Sequence, residues 1–135
     1  MTPDQQDVAA ANEAFYGAVE RGDLDALTGL WCTEETAVCV HPGATPIHGT
    51  RNVLRSWALI MANTDYIQFF LTDVTVSVNG DVATVTCREN ILTAADSGPQ
   101  GFNGGLAEAL NVFVRRPGGW RLWVHQASPV VSEAG

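Results

Sequence analysis

The chain has 135 residues, enough for one domain of ordinary size, and carries fifteen acids against seven bases for a formal net charge of −8. That balance argues against nucleic acid or an anionic membrane as a partner, because both require a cationic footprint. Only 16% of the residues are charged, against about a quarter in a typical soluble domain, so surface is expected to be hidden in a cavity or against a partner.

All seven bases are arginine. The absence of lysine excludes Schiff-base chemistry, pyridoxal phosphate anchoring and the P-loop lysine together. Cys32, Cys39 and Cys87 form an odd set without a C-x-x-C pair, which reads as reduced, buried thiols. The segment Met1–Asp7 is polar and acidic and has no secretory character, and no apolar run approaches the ~20 residues of a membrane span. The expectation is a cytoplasmic protein forming a single domain over 1–135.

Val8, Ala11, Phe15, Ala18 and Val19 recur at helical spacing until Arg21-Gly22. Asp23 is placed to cap a second, short helix carrying Leu24, Leu27, Leu30 and Trp31. Residues 36–40 form a short β-branched run that ends at His41-Pro42-Gly43, and the stretch to Gly49 reads as a loop. Thr50 is a candidate cap for a third helix with Val53, Leu54, Trp57, Ile60 and Met61 on one stripe. The period then changes to two. Strands 66–78 and 81–93 flank Asn79-Gly80, a hairpin signal. Residues 95–105 read as a loop or bulged connection, and strands 106–116 and 120–128 flank Pro117-Gly118-Gly119. Helices followed by antiparallel strands define an α+β fold, with the helices on one face of a curved sheet.

A two-residue turn at Asn79-Gly80 pairs Val78 with Asp81, Val76 with Ala83 and Phe70 with Glu89. It puts Glu89 on the apolar face with Phe70, Val74, Val76, Val78, Val85 and Cys87. A carboxylate on such a face must be hydrogen-bonded, paired or beside a pocket; alternatively Glu89 frays outward at the strand end. A three-residue loop at Pro117-Gly118-Gly119 pairs Asn111 with His125 and sets them beside Phe113 and Trp123, whereas a two-residue loop sets Asn111 with Leu122 and Val124. Both faces of this hairpin are apolar. Helices cover one, so the face with Val112, Val114, Leu122 and Val124 is expected to join two copies into a homodimer.

His41 and His125 are either core histidines or acid–base groups; His48 is expected in solvent. Cys39, His41 and His125 lack the spacing of a metal site, and no metal is expected. The four tryptophans read as core, with Trp57 and Trp123 also able to wall a cavity.

Asn12 to Arg21 with Gly22-Asp23-Leu24-Asp25-Ala26-Leu27, Cys39-Val40-His41-Pro42-Gly43, Gly49-Thr50-Arg51, Asn79-Gly80-Asp81-Val82-Ala83, and Asn111-Val112-Phe113-Val114 with Gly119-Trp120-Arg121-Leu122 and Ser128-Pro129 together resemble the SnoaL-like branch of the NTF2-like superfamily. The resemblance covers about residues 5–130. It implies a cone of three N-terminal helices packed on a curved, mainly antiparallel sheet, with a deep pocket between them. Enzymes of this superfamily include ketosteroid isomerase, polyketide cyclases, limonene epoxide hydrolase and scytalone dehydratase, which work by proton transfer without a cofactor; other members bind or assemble.

Two functions follow as expectations. One is a cofactor-independent acid–base enzyme (isomerase, cyclase, dehydratase or hydrolase) acting on a small, largely apolar molecule. In it His41, Glu89 and His125 are catalytic and Tyr16, Trp57, Asn111 and Trp123 bind substrate. The other is a non-catalytic binding or assembly domain of the same fold.

Overall fold

Gly22, with φ 64°, ends the first helix in the left-handed conformation that glycine adopts without strain. The computed structural model describes residues 1–94 and 102–131, and only the backbone of 102–104. Helix α1 (Pro3–Arg21) begins in a capping box between Thr2 and Gln5. Asp23 caps α2 (Leu24–Leu30) through the Ala26 amide, as expected. The third helix, α3 (Thr50–Ala62), is capped by Gly49 rather than Thr50. The Thr50 hydroxyl instead donates to the carbonyls of Cys32 and Glu34, tying the helix start to the preceding segment.

The strands are β1 (Val38–Val40), β2 (Ile47–His48), β3 (Ile67–Asn79), β4 (Val82–Ala94), β5 (Phe102–Arg116) and β6 (Gly119–Pro129). They form a mixed, six-stranded sheet in the order β2-β1-β6-β5-β4-β3. Short β2 lies within the expected loop, and exposed His48 sits on it. Strand β1 runs parallel to β6 and sets Cys39 beside His125, and an isolated bridge from Trp31 to Leu122 is parallel as well; the other strand pairs are antiparallel. Of the expected connection at 95–105, residues 102–105 belong to β5 and 95–101 lie outside the described residues.

Both hairpin registers differ from expectation. Asn79 pairs with Val82, so Gly80 and Asp81 make the turn and Val76 faces Val85. A bulge at Asp73, whose φ is 53°, then shifts the ladder by one residue and sets Leu71, not Phe70, opposite Glu89. Phe69 and Leu71 pack on the core, whereas Phe70 and Val74 point outward at 52% and 47% exposure. In the second hairpin Arg116 pairs with Gly119 across a two-residue turn, and a bulge that leaves Trp123 unpaired restores Asn111 opposite His125. That bulge also turns Trp120 and Leu122 inward, so Leu122 is core and not part of the outer face.

The core lies between the helices and one face of the sheet. Val8, Phe15, Val19, Leu27, Trp31 and Val53 from the helical layer meet Cys39, Val85, Phe113 and Leu122 from the strands. Burying each such large side chain is worth about 1.5–3 kcal/mol.

Candidate functional site

On β4 the alternation is unbroken. Ala83, Val85, Cys87 and Glu89 all face inward at 2% exposure or less. The strand continues to Ala94, so Glu89 sits well inside it and does not fray. On α1, Val8, Asn12, Phe15, Tyr16 and Val19 share the buried face, which brings two polar groups to the same place. The Tyr16 hydroxyl donates to Glu89 Oε2 at 2.5 Å. From β5, the Asn111 amide donates to Asn12 Oδ1 at 2.8 Å and to the Tyr16 oxygen at 3.2 Å. From β6, His125 Nδ1 lies 2.6 Å from Asn111 Oδ1.

Proton accounting assigns the donors in this chain. Tyr16 has one proton and gives it to Glu89, so its oxygen accepts from Asn111 Nδ2. Asn111 Oδ1 can then only accept, and His125 must carry its proton on Nδ1. The other ring nitrogen, Nε2, keeps its lone pair and stands 4.0 Å from Glu89 Oε2. That separation is within reach of an ion pair, but burial opposes one. It pushes the Glu89 carboxyl up, partly offset by the Tyr16 hydrogen bond, and with the nearby His41 charge it holds His125 down at about 3. The favoured state is a neutral imidazole beside a carboxyl poised toward its acid form.

The half-buried His41 follows β1 and approaches from another side. Its Nε2 is 3.0 Å from Ser56 Oγ and 3.7 Å from Cys39 Sγ. Ser56 gives its own proton to the Val53 carbonyl, so His41 donates from Nε2 and keeps Nδ1 free. Burial holds this histidine below its ordinary value. The Trp57 ring touches both imidazoles, with centroids 4.7 Å from His41 and 5.7 Å from His125. Its buried indole N–H faces the Cys39 sulfur.

The structure therefore brings Tyr16, Trp57, Glu89, Asn111 and His125 together, with His41 across the Trp57 ring. It does not bring Trp123 to them: that indole donates to the carbonyl and hydroxyl of Thr36, because Trp123 is the bulged residue of β6. Asn111 also departs from its expected role, since its hydrogens bond Asn12 and Tyr16 and its oxygen bonds His125. Sequence reasoning missed Asn12, although a polar residue between Val8 and Phe15 on an apolar stripe is a legible signal. It also missed Phe15 and Ser56, which pack on or bond the two histidines.

Tyr16, Trp57, Glu89, Asn111 and His125 are each 5% exposed or less. A surface depression of about 490 Å³ between α1 and β3 meets this cluster only through Tyr16, the other walls including Glu13, Glu20 and Phe69. Among the described residues no set of three or more His, Cys, Asp or Glu side chains is grouped to hold a metal ion. No helix among them is long and apolar enough to cross a membrane.

A helical layer on a mixed, curved sheet is the architecture of NTF2-like α+β proteins. Within that class, this chain belongs to the SnoaL-like domain family, which matches residues 8–132. A crystal structure from Streptomyces avermitilis, provisionally named a dehydratase of the NTF2-like family, is 54% identical over 97% of this chain and 100% of its own, with a TM-score of 0.89. A domain from Thiobacillus denitrificans, provisionally named a calcium/calmodulin-dependent protein kinase type II association domain, is 28% identical (91% and 94% coverage, TM-score 0.78). An NTF2-like superfamily protein from Salmonella enterica shares the fold at 14% identity, with 96% and 93% coverage and a TM-score of 0.84. No curated protein matches the chain.

Proposed function

We propose that this chain is a cofactor-independent acid–base enzyme that removes water from a small, uncharged, largely apolar molecule. The observation that carries the reading is the neutral His125, its Nε2 lone pair free and 4.0 Å from the Glu89 carboxyl. Buried titratable groups with displaced pKa values, joined by hydrogen bonds, are what proton transfer at neutral pH requires. Dehydration is chosen among the possible reactions because the 54%-identical relative carries that provisional name.

In this reading His125 Nε2 takes the proton from a carbon beside a carbonyl group. The freed electron pair first rests on the carbonyl as an enolate, then becomes a C=C bond as the C–O bond to a neighbouring hydroxyl breaks. Glu89 in its acid form gives that hydroxyl a proton, so it leaves as water, and Tyr16 steadies the carboxylate that remains. His41, its one proton held by Ser56, gives none to the substrate, and Trp57 spans the two histidines. An uncharged substrate suits the site because the cations are elsewhere: Arg21, Arg88, Arg115 and Arg116 pair with surface carboxylates. The test is hydrogen exchange from solvent D₂O into neutral β-hydroxy carbonyl compounds. Wild type should incorporate deuterium beside the carbonyl and release water, and His125→Ala should do neither. Absence of exchange and turnover in wild type across the series would defeat the proposal.

A binding or assembly domain is the second reading, favoured by the low exposure of the cluster and by the association-domain name of the 28%-identical structure. A small molecule carried through purification and seen by mass spectrometry, with no turnover, would select it. For either reading we take the outer sheet face, with Val82 and Leu110 each 38% exposed and Val112 and Val124 half-buried, as the contact between two copies.

A further inference from the structure

We infer that Asn12 is a positioning residue that acts through Asn111 to hold His125 in the tautomer with the proton on Nδ1 and the lone pair on Nε2. Its importance for catalysis rests on the acid–base reading above; the tautomer assignment does not.

The argument is a choice between two hydrogen-bond patterns. In the observed one, Asn111 Oδ1 accepts from His125 Nδ1 at 2.6 Å, and Asn111 Nδ2 donates to Asn12 Oδ1 and to Tyr16. In the alternative the Asn111 amide is rotated by half a turn. Its Nδ2 would then donate to His125 Nδ1, the imidazole proton would move to Nε2, and that N–H would face Glu89. Nothing at His125 alone forbids this, and attraction between an Nε2–H and a carboxylate favours it. Rotation would, however, set Asn111 Oδ1 against Asn12 Oδ1, two acceptors at a spacing now closed by a hydrogen bond of 2.8 Å. Rotating Asn12 as well does not restore the pattern, because the Tyr16 oxygen, whose one proton goes to Glu89, would still face Asn111 Oδ1. Asn12 is 1% exposed and Asn111 is fully buried, so water cannot make up a lost bond, and the mismatch carries the full cost of unsatisfied buried groups. The same asymmetry leaves His125 with its basic nitrogen directed at Glu89.

The experiment is a long-range ¹H–¹⁵N correlation spectrum of the full chain, with the His125 signals identified by their loss in His125→Gln. Wild type should show a protonated Nδ1 and an unprotonated Nε2; the reverse pattern overturns the inference. Asn12→Leu, which removes the acceptor at similar volume, should lose the Nδ1–H pattern and gain Nε2–H. Asn12→Asp above its own pKa, which keeps an acceptor, should retain the wild-type pattern. An Asn12→Leu variant that folds and keeps Nδ1–H overturns the inference, as does an Asn12→Asp that behaves like Asn12→Leu. Should Asn12→Leu not fold, Asn12→Ala is read by the same criterion. Once a substrate is in hand, the tautomer shift should lower kcat with little change in KM, by up to about 10⁴-fold, the loss seen when a catalytic histidine is held in the wrong tautomer. A shifted tautomer with unchanged kcat would uphold the role of Asn12 and count against the acid–base reading.

Discussion

Tyr16 and Glu89, 73 positions apart in the chain, meet in a 2.5 Å hydrogen bond that joins the first helix to the middle of the sheet. Burial raises the Glu89 carboxyl and this bond lowers it. Tyr16→Phe should therefore raise the Glu89 pKa further and cost about 1.5–3 kcal/mol, the range for a hydrogen bond to a charged group. Carboxyl ¹³C titration and chemical denaturation measure the two effects. An unmoved or lowered pKa would show that the bond does not favour the ionised form.

Acid should destabilise the protein through His125. Its folded pKa is about 3, against about 6.5 for a free imidazole. Between those values the unfolded chain binds a proton that the folded chain refuses, so stability rises with pH across the interval and is lost as pH falls below 6.5. His41 is shifted in the same direction. Glu89 acts with the opposite sign, because the folded state holds its proton longer. Melting temperature against pH should fall less steeply on the acid side in His125→Gln and more steeply in Glu89→Gln. An unchanged acid limb in His125→Gln would sink the assignment.

The three cysteines are free and buried, and burial pushes Cys39 up to about 12 and raises Cys32 and Cys87. A thiol-specific disulfide reagent at pH 8 should leave all three unmodified in the native protein and label all three after denaturation. A chelator should leave the melting temperature unchanged. Rapid native labelling, or a chelator-induced drop, would contradict these expectations.

How far the sequence could be read turned on where regular alternation holds. Strand β4 alternates without interruption, so the inward position of Glu89 was legible from Val85 and Cys87 alone. On β3 the pairing was off by two from the turn to the bulge, which kept Val76 and Val78 on the inner face; Val74 and Phe70 were put on the wrong face because the bulge is built on Asp73, a residue that enters the left-handed region without the glycine that would announce it. Asn111 was correctly set opposite His125, but through a three-residue loop, where the chain uses a two-residue turn and a bulge at Trp123. The two devices give the same pairing beyond the bulge and opposite faces before it, which is why Leu122 and Trp120 were misassigned. The histidine tautomers depend on which amide or hydroxyl faces each ring, a relation between distant segments that no local pattern encodes.

The Asp73 bulge has its own test. Asp73→Gly should be neutral or stabilising, while Asp73→Val should cost about 1–2 kcal/mol, the penalty of a left-handed conformation for an ordinary side chain. Urea midpoints decide it. Equal stability for the glycine and valine variants would mean that the bulge is not held in that conformation.

Self-association predicts a dimer at micromolar concentration by sedimentation, and Leu110→Glu should dissociate it while leaving the fold intact, since Leu110 is 38% exposed. A monomeric wild type would remove the outer-face contact.

The parallel pairing of β1 with β6 has a consequence for synthesis on the ribosome. Residues 38–40 leave the ribosome well before their neighbours at 124–126, with both long hairpins still to be made. Cys39, and His41 just beyond it, must therefore wait, without their final partner strand, while the hairpins between them are made. Assembly of the histidine pair around Trp57 is thus a late event for the nascent polypeptide. A ribosome stalled before residue 120 would hold a chain with helices and β3–β4 available, but with no possibility of a completed cluster.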